Sequence, residues 1–465
     1  MRTGIWLLGA LCLSLAACPG CPGPGPDQDG GDDGGDDGGA DAGCLNGFCN
    51  STLDPSPMAL IADYTPQIAA ALGPSDRIGI VYYKQDSGTL PDGGGGDVSY
   101  GVQYMEWQNG SVTVQPEVVQ IVHNAYGISV AFQANGQPAV AYLGGPRDLM
   151  VSTSWWNNDA TTAYRTGPNA WTEHIAVMDS TEAAGGNPVS DNGYLVGIYP
   201  ALGFDSTNKA YLTYRDCHNG QSIGTGDYNA SDLELAEGGP TAWTHTKLVA
   251  GGNDKRAWGG HSRMIMVGDQ PALVQDRVIG VPSGPGTDVY FLKRDAGAGG
   301  APSWSPATIV SAAGDTSSGP SLAYDPSSAK YGVAFADRNA VGGQALYFAE
   351  SVTAANGNVS FPIKDVILQL GSAGWYPSIA YDPVNNEPVI ASHLCSVRPG
   401  VGQISSCPSA EDELQVSQRT GGYWYHTTVD TGGGLQPQLF YLSTGKRVIV
   451  YKDPRSGTVR ISVEQ

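Results

Sequence analysis

Charged residues recur at one repeated place in this chain. Arg147, Arg215-Asp216, Asp276-Arg277, Asp337-Arg338 and Asp453 with Arg455 each close a short run of alternating apolar residues. A guanidinium binds a carboxylate through two parallel hydrogen bonds. If Arg147, Arg277 and Arg338 face a shared mouth, they can clamp an acidic glycan or the carboxylates of a protein partner, with Asp216, Asp276 and Asp337 beside them. The same charges also suit a ring of ion pairs between repeats. Tyr199, Trp258, Trp375 and Tyr376 lie in adjoining connections, where their rings can stack on sugars or pack the loop roots. His218 and His261, with Asp216 and Cys217, have the residue types of a zinc site but not its tight ligand spacing. His174, His245 and His426 fall on separate outer segments and do not converge. The chain has no Gly-x-Ser-x-Gly elbow, no phosphate-binding glycine loop and no His-Glu-x-x-His, so nothing in it calls for a cofactor.

These residues are positioned by a repeat. The stretch from Gly319, GPSLAYDPSSAKYGVAFAD, reads as strand, tight turn and strand. Leu322 and Tyr324 alternate with small residues, Asp325-Pro326 opens the turn, and Val333 and Phe335 alternate again. The same phrase starts at Tyr199 and Tyr376, with weaker copies at Thr65, Tyr126, Gly260 and Gln436. That makes about seven copies, mostly about 60 residues apart. Third strands follow at Asp288 to Leu292, Ala345 to Ala349 and Glu413 to Ser417. Fourth strands carry an aromatic and, six residues on, an aliphatic: Trp171/Val177, Trp243/Val249, Trp304/Val310, Phe361/Ile367 and Tyr423/Val429. Even spacing assigns both members to one face.

Four antiparallel strands repeated seven times predict an all-β, seven-bladed β-propeller. The last repeat supplies three strands before the chain ends. The segment Ser51 to Leu60 is therefore expected to pair with Thr458 to Val463 and close the last blade. The hairpin turns DSTNK, DPSSAK and DPVNNEP are tight. The long loops, such as Arg215 to Ser231 and His393 to Asp412, emerge at the other end, where binding residues usually collect.

The chain has 465 residues, 41% apolar and 15% charged, with a formal net charge of -21. That is ample for a large core, and the charge argues against nucleic acid as a partner. Ile5 to Ala17 is an apolar run too short to span a bilayer comfortably. It ends in Leu15-Ala16-Ala17-Cys18, which resembles the lipobox of bacterial lipoproteins. The resemblance implies a signal peptide over 1–17, a lipidated Cys18 and a membrane anchor. Pro19, in place of a retaining Asp, favours the outer membrane. Residues 18–50 then form a linker rich in Gly and Asp, which stays solvated and self-repelling. Residues 51–465 form the propeller.

Cysteine usage fits an exported protein. Cys44 and Cys49 bracket a short loop and can pair. Cys395 and Cys407 flank one Gly/Ser-rich loop and form the second candidate pair, with Cys217 as a rival partner for Cys395. The phrase running from Lys293 to Trp304, with its neighbouring W-[ST] pattern, is similar to sialidase-type repeats, although no complete Asp box occurs. That resemblance implies propeller architecture. The functional expectation is an envelope lipoprotein whose propeller binds or scaffolds a glycan or an envelope protein. The alternative is a glycoside hydrolase or polysaccharide lyase on the same fold.

Overall fold

The computed structural model describes residues 43–59, 66–86, 99–122, 125–144, 159–177, 196–217, 231–251, 256–279, 286–296, 302–311, 319–337, 344–369, 371–395 and 407–465. Residues 41–465 make one compact unit. Cys18 and the lipobox lie outside the described residues.

Seven antiparallel sheets follow one another along the chain. Blade 1 is Ile68–Leu72, Ile78–Asp86, Ser99–Gln108 and Ser111–Val122. Blade 2 is Ile128–Phe132, Pro138–Gly144, Asp159–Gly167 and Ala170–Val177. Blade 3 is Val196–Phe204, Ala210–Asp216, Asp232–Gly238 and Trp243–Val249. Blade 4 is Arg256–Val267, Gln270–Ile279, Gly286–Asp295 and a fourth strand split into Ser303–Trp304 and Thr308–Ser311. Blade 5 is Ser321–Asp325, Lys330–Asp337, Ala345–Thr353 and Val359–Leu368. Blade 6 is Ser372–Tyr381, Pro388–Cys395, Asp412–Thr420 and Tyr423–Asp430. Blade 7 takes Leu435–Tyr441, Arg447–Lys452 and Val459–Glu464 from the end of the chain and Phe48–Asp54 from its beginning. The protein is a seven-bladed β-propeller.

Ring closure falls on Phe48–Asp54, paired from Phe48↔Glu464 to Asp54↔Val459, rather than on Ser51 to Leu60. Pro55 and Pro57 have no N–H to give a ladder and lie past the strand. Phe48, Leu53 and Met58 are buried there. Cys44 is bonded to Cys49 on the small hairpin that leads in, and Cys395 to Cys407 in blade 6. Cys217 is buried and belongs to neither disulfide.

The core is a ring of inter-blade layers. Val140 and Tyr142 of blade 2 pack with Val81 and Tyr104 of blade 1, and Val448 and Ile461 of blade 7 pack with Ile78 and Ile80 of blade 1. Side chains on both faces of each sheet are thereby removed from water, each large one contributing on the order of 1.5–3 kcal/mol. The aromatic and aliphatic of the fourth strands in blades 2 to 5 do not share a face, and Tyr423 of blade 6 is exposed. Trp171 packs toward blade 1 and Val177 toward blade 3, and Phe361 and Ile367 likewise part to opposite neighbours. A register shift between them, at Ile175/Val177 in blade 2, supplies the odd residue that turns the strand over. At the tight turns, Asp205, Asp325 and Asp382 accept backbone N–H groups two residues on, as expected for Asx turns.

Candidate functional site

In every blade the innermost strand starts, and the second strand ends, at the same end of the ring. The register fixes seven equivalent positions just inside: Ala69↔Val81, Ser129↔Ala141, Ala201↔Thr213, Arg263↔Val274, Ser321↔Ala334, Ser378↔Ala391 and Gln438↔Val450. Blades are stitched at this level. The Ser129, Ser321 and Ser378 hydroxyls accept the backbone N–H groups of Leu202, Ile379 and Leu439 in a neighbouring blade, at 2.9–3.1 Å.

Two residues earlier lie Gln67, Gly127, Tyr199, His261, Gly319, Tyr376 and Gln436, the rim of the axial mouth. Tyr199, Tyr376 and Gln436 hold φ of 53°, 46° and 53°. A bulky residue in the left-handed region costs on the order of 1–3 kcal/mol and persists only where its surroundings impose it. Here the preceding blade makes room. A Cβ on Gly127 would sit 2.8 Å from the Tyr199 Cα, and one on Gly319 would sit 2.9 Å from the Tyr376 ring. With no side chain at Gly319, Tyr376 reaches across blade 5 to His261. The ring centroids of His261 lie 4.6 Å from Tyr199 and 5.5 Å from Tyr376. Three rings from blades 3, 4 and 6 thus form one arc.

His261 is oriented from behind. Its Nδ1 is 3.1 Å from Asp276 Oδ2, which also accepts the Gly319 N–H at 3.3 Å. Asp276 is buried, and burial pushes its pKa up, although His261 and Gly319 act against the shift. Asp276 thereby fixes the orientation of the imidazole. Beneath the arc is a cavity of about 100 Å³ lined by Tyr199, His261, Tyr376, Ser129 and Arg263. Arg263 Nη1 lies 3.2 Å from Gln438 Oε1, across the axis in blade 7. Burial lowers its pKa to about 10, against an opposing influence from Tyr376, so it remains a cation at neutral pH.

The structure thus gathers Tyr199, Tyr376, His261 and Asp276 at one mouth. Other expected site residues are used elsewhere. Arg277 does not face the mouth and does not pair with Asp276. It is buried, bound to Asp288, and lies over the rings of Trp258 and Tyr290 at 5.1 and 4.6 Å. Trp258 is therefore packing. So is Trp375, buried with its Nε1 donating to Ser372 Oγ at 2.6 Å. Asp337 is buried at the end of its strand. Asp216 lies with Asp232 and Glu234, the one group among the described residues that brings three ligand-type atoms within 4.8 Å. Lys247 Nζ already meets Asp232 and Glu234. The zinc set of His218, His261, Asp216 and Cys217 is not assembled among the described residues. Arg147, Arg338 and His218 lie outside them.

Charges at this end pair within blades, as in Arg277–Asp288 and His393–Asp412, and between them, as in Lys84 of blade 1 with Asp54 of blade 7. Further pairs between blades lie on third strands, as in Arg294–Glu237 and Arg419–Glu350. Sequence reasoning missed Arg263. Its signal was a lone charge inside GHSRMIMV, at a position that is small in most other copies.

Fold and mouth together define a propeller with an axial cavity. No protein-family model matches the chain, and no curated protein matches it in sequence. Among solved structures, an ulvan lyase of polysaccharide lyase family PL25 superposes with a TM-score of 0.51 at 10% identity, over 88% of this chain and 94% of that one. The NanB sialidase of Streptococcus pneumoniae gives 0.43 at 10% identity, over 88% and 71%. The fucose-specific lectin of Aleuria aurantia gives 0.41 at 14%, over 81% and 98%. The first of these likenesses is one of fold.

Proposed function

We propose that this chain is a lipid-anchored envelope protein whose propeller binds a glycan at the axial mouth. The observation that carries the reading is the arc of Tyr199, His261 and Tyr376, with two tyrosines held in a costly backbone conformation that converges them on one imidazole. Aromatic faces and an oriented imidazole suit the apolar face and hydroxyls of a sugar. A lyase of similar fold is described bound to -[GlcA(1-4)Rha3S]-, so this architecture is compatible with a polysaccharide ligand. Anchoring rests on the Leu15 to Cys18 box. Cys18→Ser should leave the protein unlipidated and out of the detergent phase.

The binding reading is tested with the full chain in mild detergent on a glycan array. Tyr199→Ala should lower retention of every glycan that binds. Tyr376→Ala also removes a ring buried with Trp375 and Leu435, so its retention, expected to fall likewise, is read on the folded fraction. Retention unaffected by both would overturn it.

A second reading is catalytic. A glycosidase needs two carboxyls about 5–5.5 Å or 6.5–9.5 Å apart, and among the described residues no carboxylate lines the cavity. A lyase needs a base and a cation to neutralise a uronate. His261, oriented by Asp276, and Arg263 bring an imidazole and a cation to the lining of one cavity. Loss of the bound polymer with appearance of a conjugated double bond in the product would establish this reading over simple binding.

A further inference from the structure

We infer that Arg263 is the anion-recognising group of the mouth, and that the glycan is one bearing a carboxylate, which enters the cavity beneath the aromatic arc. The inference rests on the glycan reading above and names its ligand class.

Of the seven equivalent positions on the inner strands, five hold Ala or Ser: Ala69, Ser129, Ala201, Ser321 and Ser378. These small residues keep the axis open. Arg263 is the one cation at this level, and it lines the cavity. Other arginines have acids: Arg165 has Glu117, Arg294 has Glu237 and Arg419 has Glu350. Among the described residues Arg263 has no carboxylate within ion-pair distance. A guanidinium carries five N–H donors in a fixed fork, and the bond to Gln438 uses one of them. Ser129 adds another donor. Its oxygen already accepts the Leu202 N–H, so its own proton is left to give. Gln438 cannot neutralise the charge, and its amide nitrogen is committed to the Gln436 and Pro437 carbonyls. Asp276, behind the rim, is turned to His261.

The result is a partly desolvated fork of donors above a space of about 100 Å³. That is far below the roughly 300–1,000 Å³ of a pocket that engulfs a ligand. It admits one carboxylate while the sugar ring stays above, against the half-buried Tyr199, which His261 and the buried Tyr376 back. In a chain of net charge -21, an anion needs such a local cation to bind at all.

The test is calorimetric titration of the full chain in mild detergent with tetrasaccharides of glucuronate, galacturonate and mannuronate, each beside its carboxyl-reduced counterpart. The parent protein should bind at least one acid about tenfold or more tighter than its reduced form. Arg263→Ser, which installs the residue found at three equivalent positions, should bind acid and reduced forms alike. Arg263→Lys, which keeps charge and loses the fork, should fall between, and it serves if the serine variant fails to fold. An acid preference that survives Arg263→Ser overturns the inference while leaving the glycan reading intact, provided Tyr199→Ala still weakens both forms. Equal binding of acid and reduced forms by the parent overturns it in the same way. Binding of neither form by the parent overturns both.

Discussion

Arg263→Ser should cost the fold little or nothing, and the size of that effect separates a ligand-binding arginine from a strut. Burial lowers the guanidinium's pKa from its usual 12.5 to about 10. A change of that size corresponds to roughly 3 kcal/mol against the charged form, at about 1.4 kcal/mol per pH unit. The bond to Gln438 returns about 1.5–3 kcal/mol, the range for a charged donor. Ordering the long side chain costs up to about 2 kcal/mol. The substitution is therefore expected to leave stability unchanged or raise it by up to about 3.5 kcal/mol. Urea unfolding monitored by tryptophan fluorescence measures this through the midpoint at constant slope. If Arg263 instead props blade 4 against blade 7 through Gln438, the variant loses more than about 2 kcal/mol. That result would refute the reasoning.

Further expectations follow from the same contacts. Deleting residues 43–54 removes the closing strand with buried Phe48 and Leu53, so it should lower the melting temperature far more than deleting 22–42; equal melting points would contradict ring closure. Arg277→Met leaves buried Asp288 unpaired and should destabilise by about 3–5 kcal/mol while glycan affinity of the folded fraction is kept; lost affinity at unchanged stability would return Arg277 to the binding site. Burial acts to raise the Glu350 pKa, but bonds to Lys330 and Arg419 outweigh it and hold the carboxyl below its usual value. Its contribution is thus present above the unfolded-state pKa, near 4.3, and is lost as pH falls through the folded one. Glu350→Gln should destabilise at pH 7 and converge with the parent as pH falls below the folded-state pKa, and a difference independent of pH would contradict this.

The period of the repeat was legible because hairpin chemistry is local. Asp at the turn, alternation on both sides and a proline after the rim residue all lie within some 20 residues of each other. Closure was legible by counting strands, although the prolines at 55 and 57 moved it toward the amino terminus. The facing of fourth-strand residues was not legible. One bulge between Trp171 and Val177 reverses a side that even spacing assigns, and a bulge has no composition of its own. The mouth was legible in part. Tyr199, Tyr376, His261 and Asp276 stood out as aromatic or charged residues at repeat ends. Arg277 stood out equally, and it proved to be buried against Asp288 because the register sets the two directly opposite. Arg263 shows its meaning only when the seven inner strands are aligned by their partners rather than by their letters.

The central claim is that a glycan acid is read at the axis. A crystal structure of the chain with a bound uronate tetrasaccharide tests it most directly. The account predicts a sugar ring against Tyr199, with its carboxylate in hydrogen-bonding reach of Arg263. A ligand seated on the outer strands, or at the mouth with its carboxylate turned away from Arg263, would contradict it.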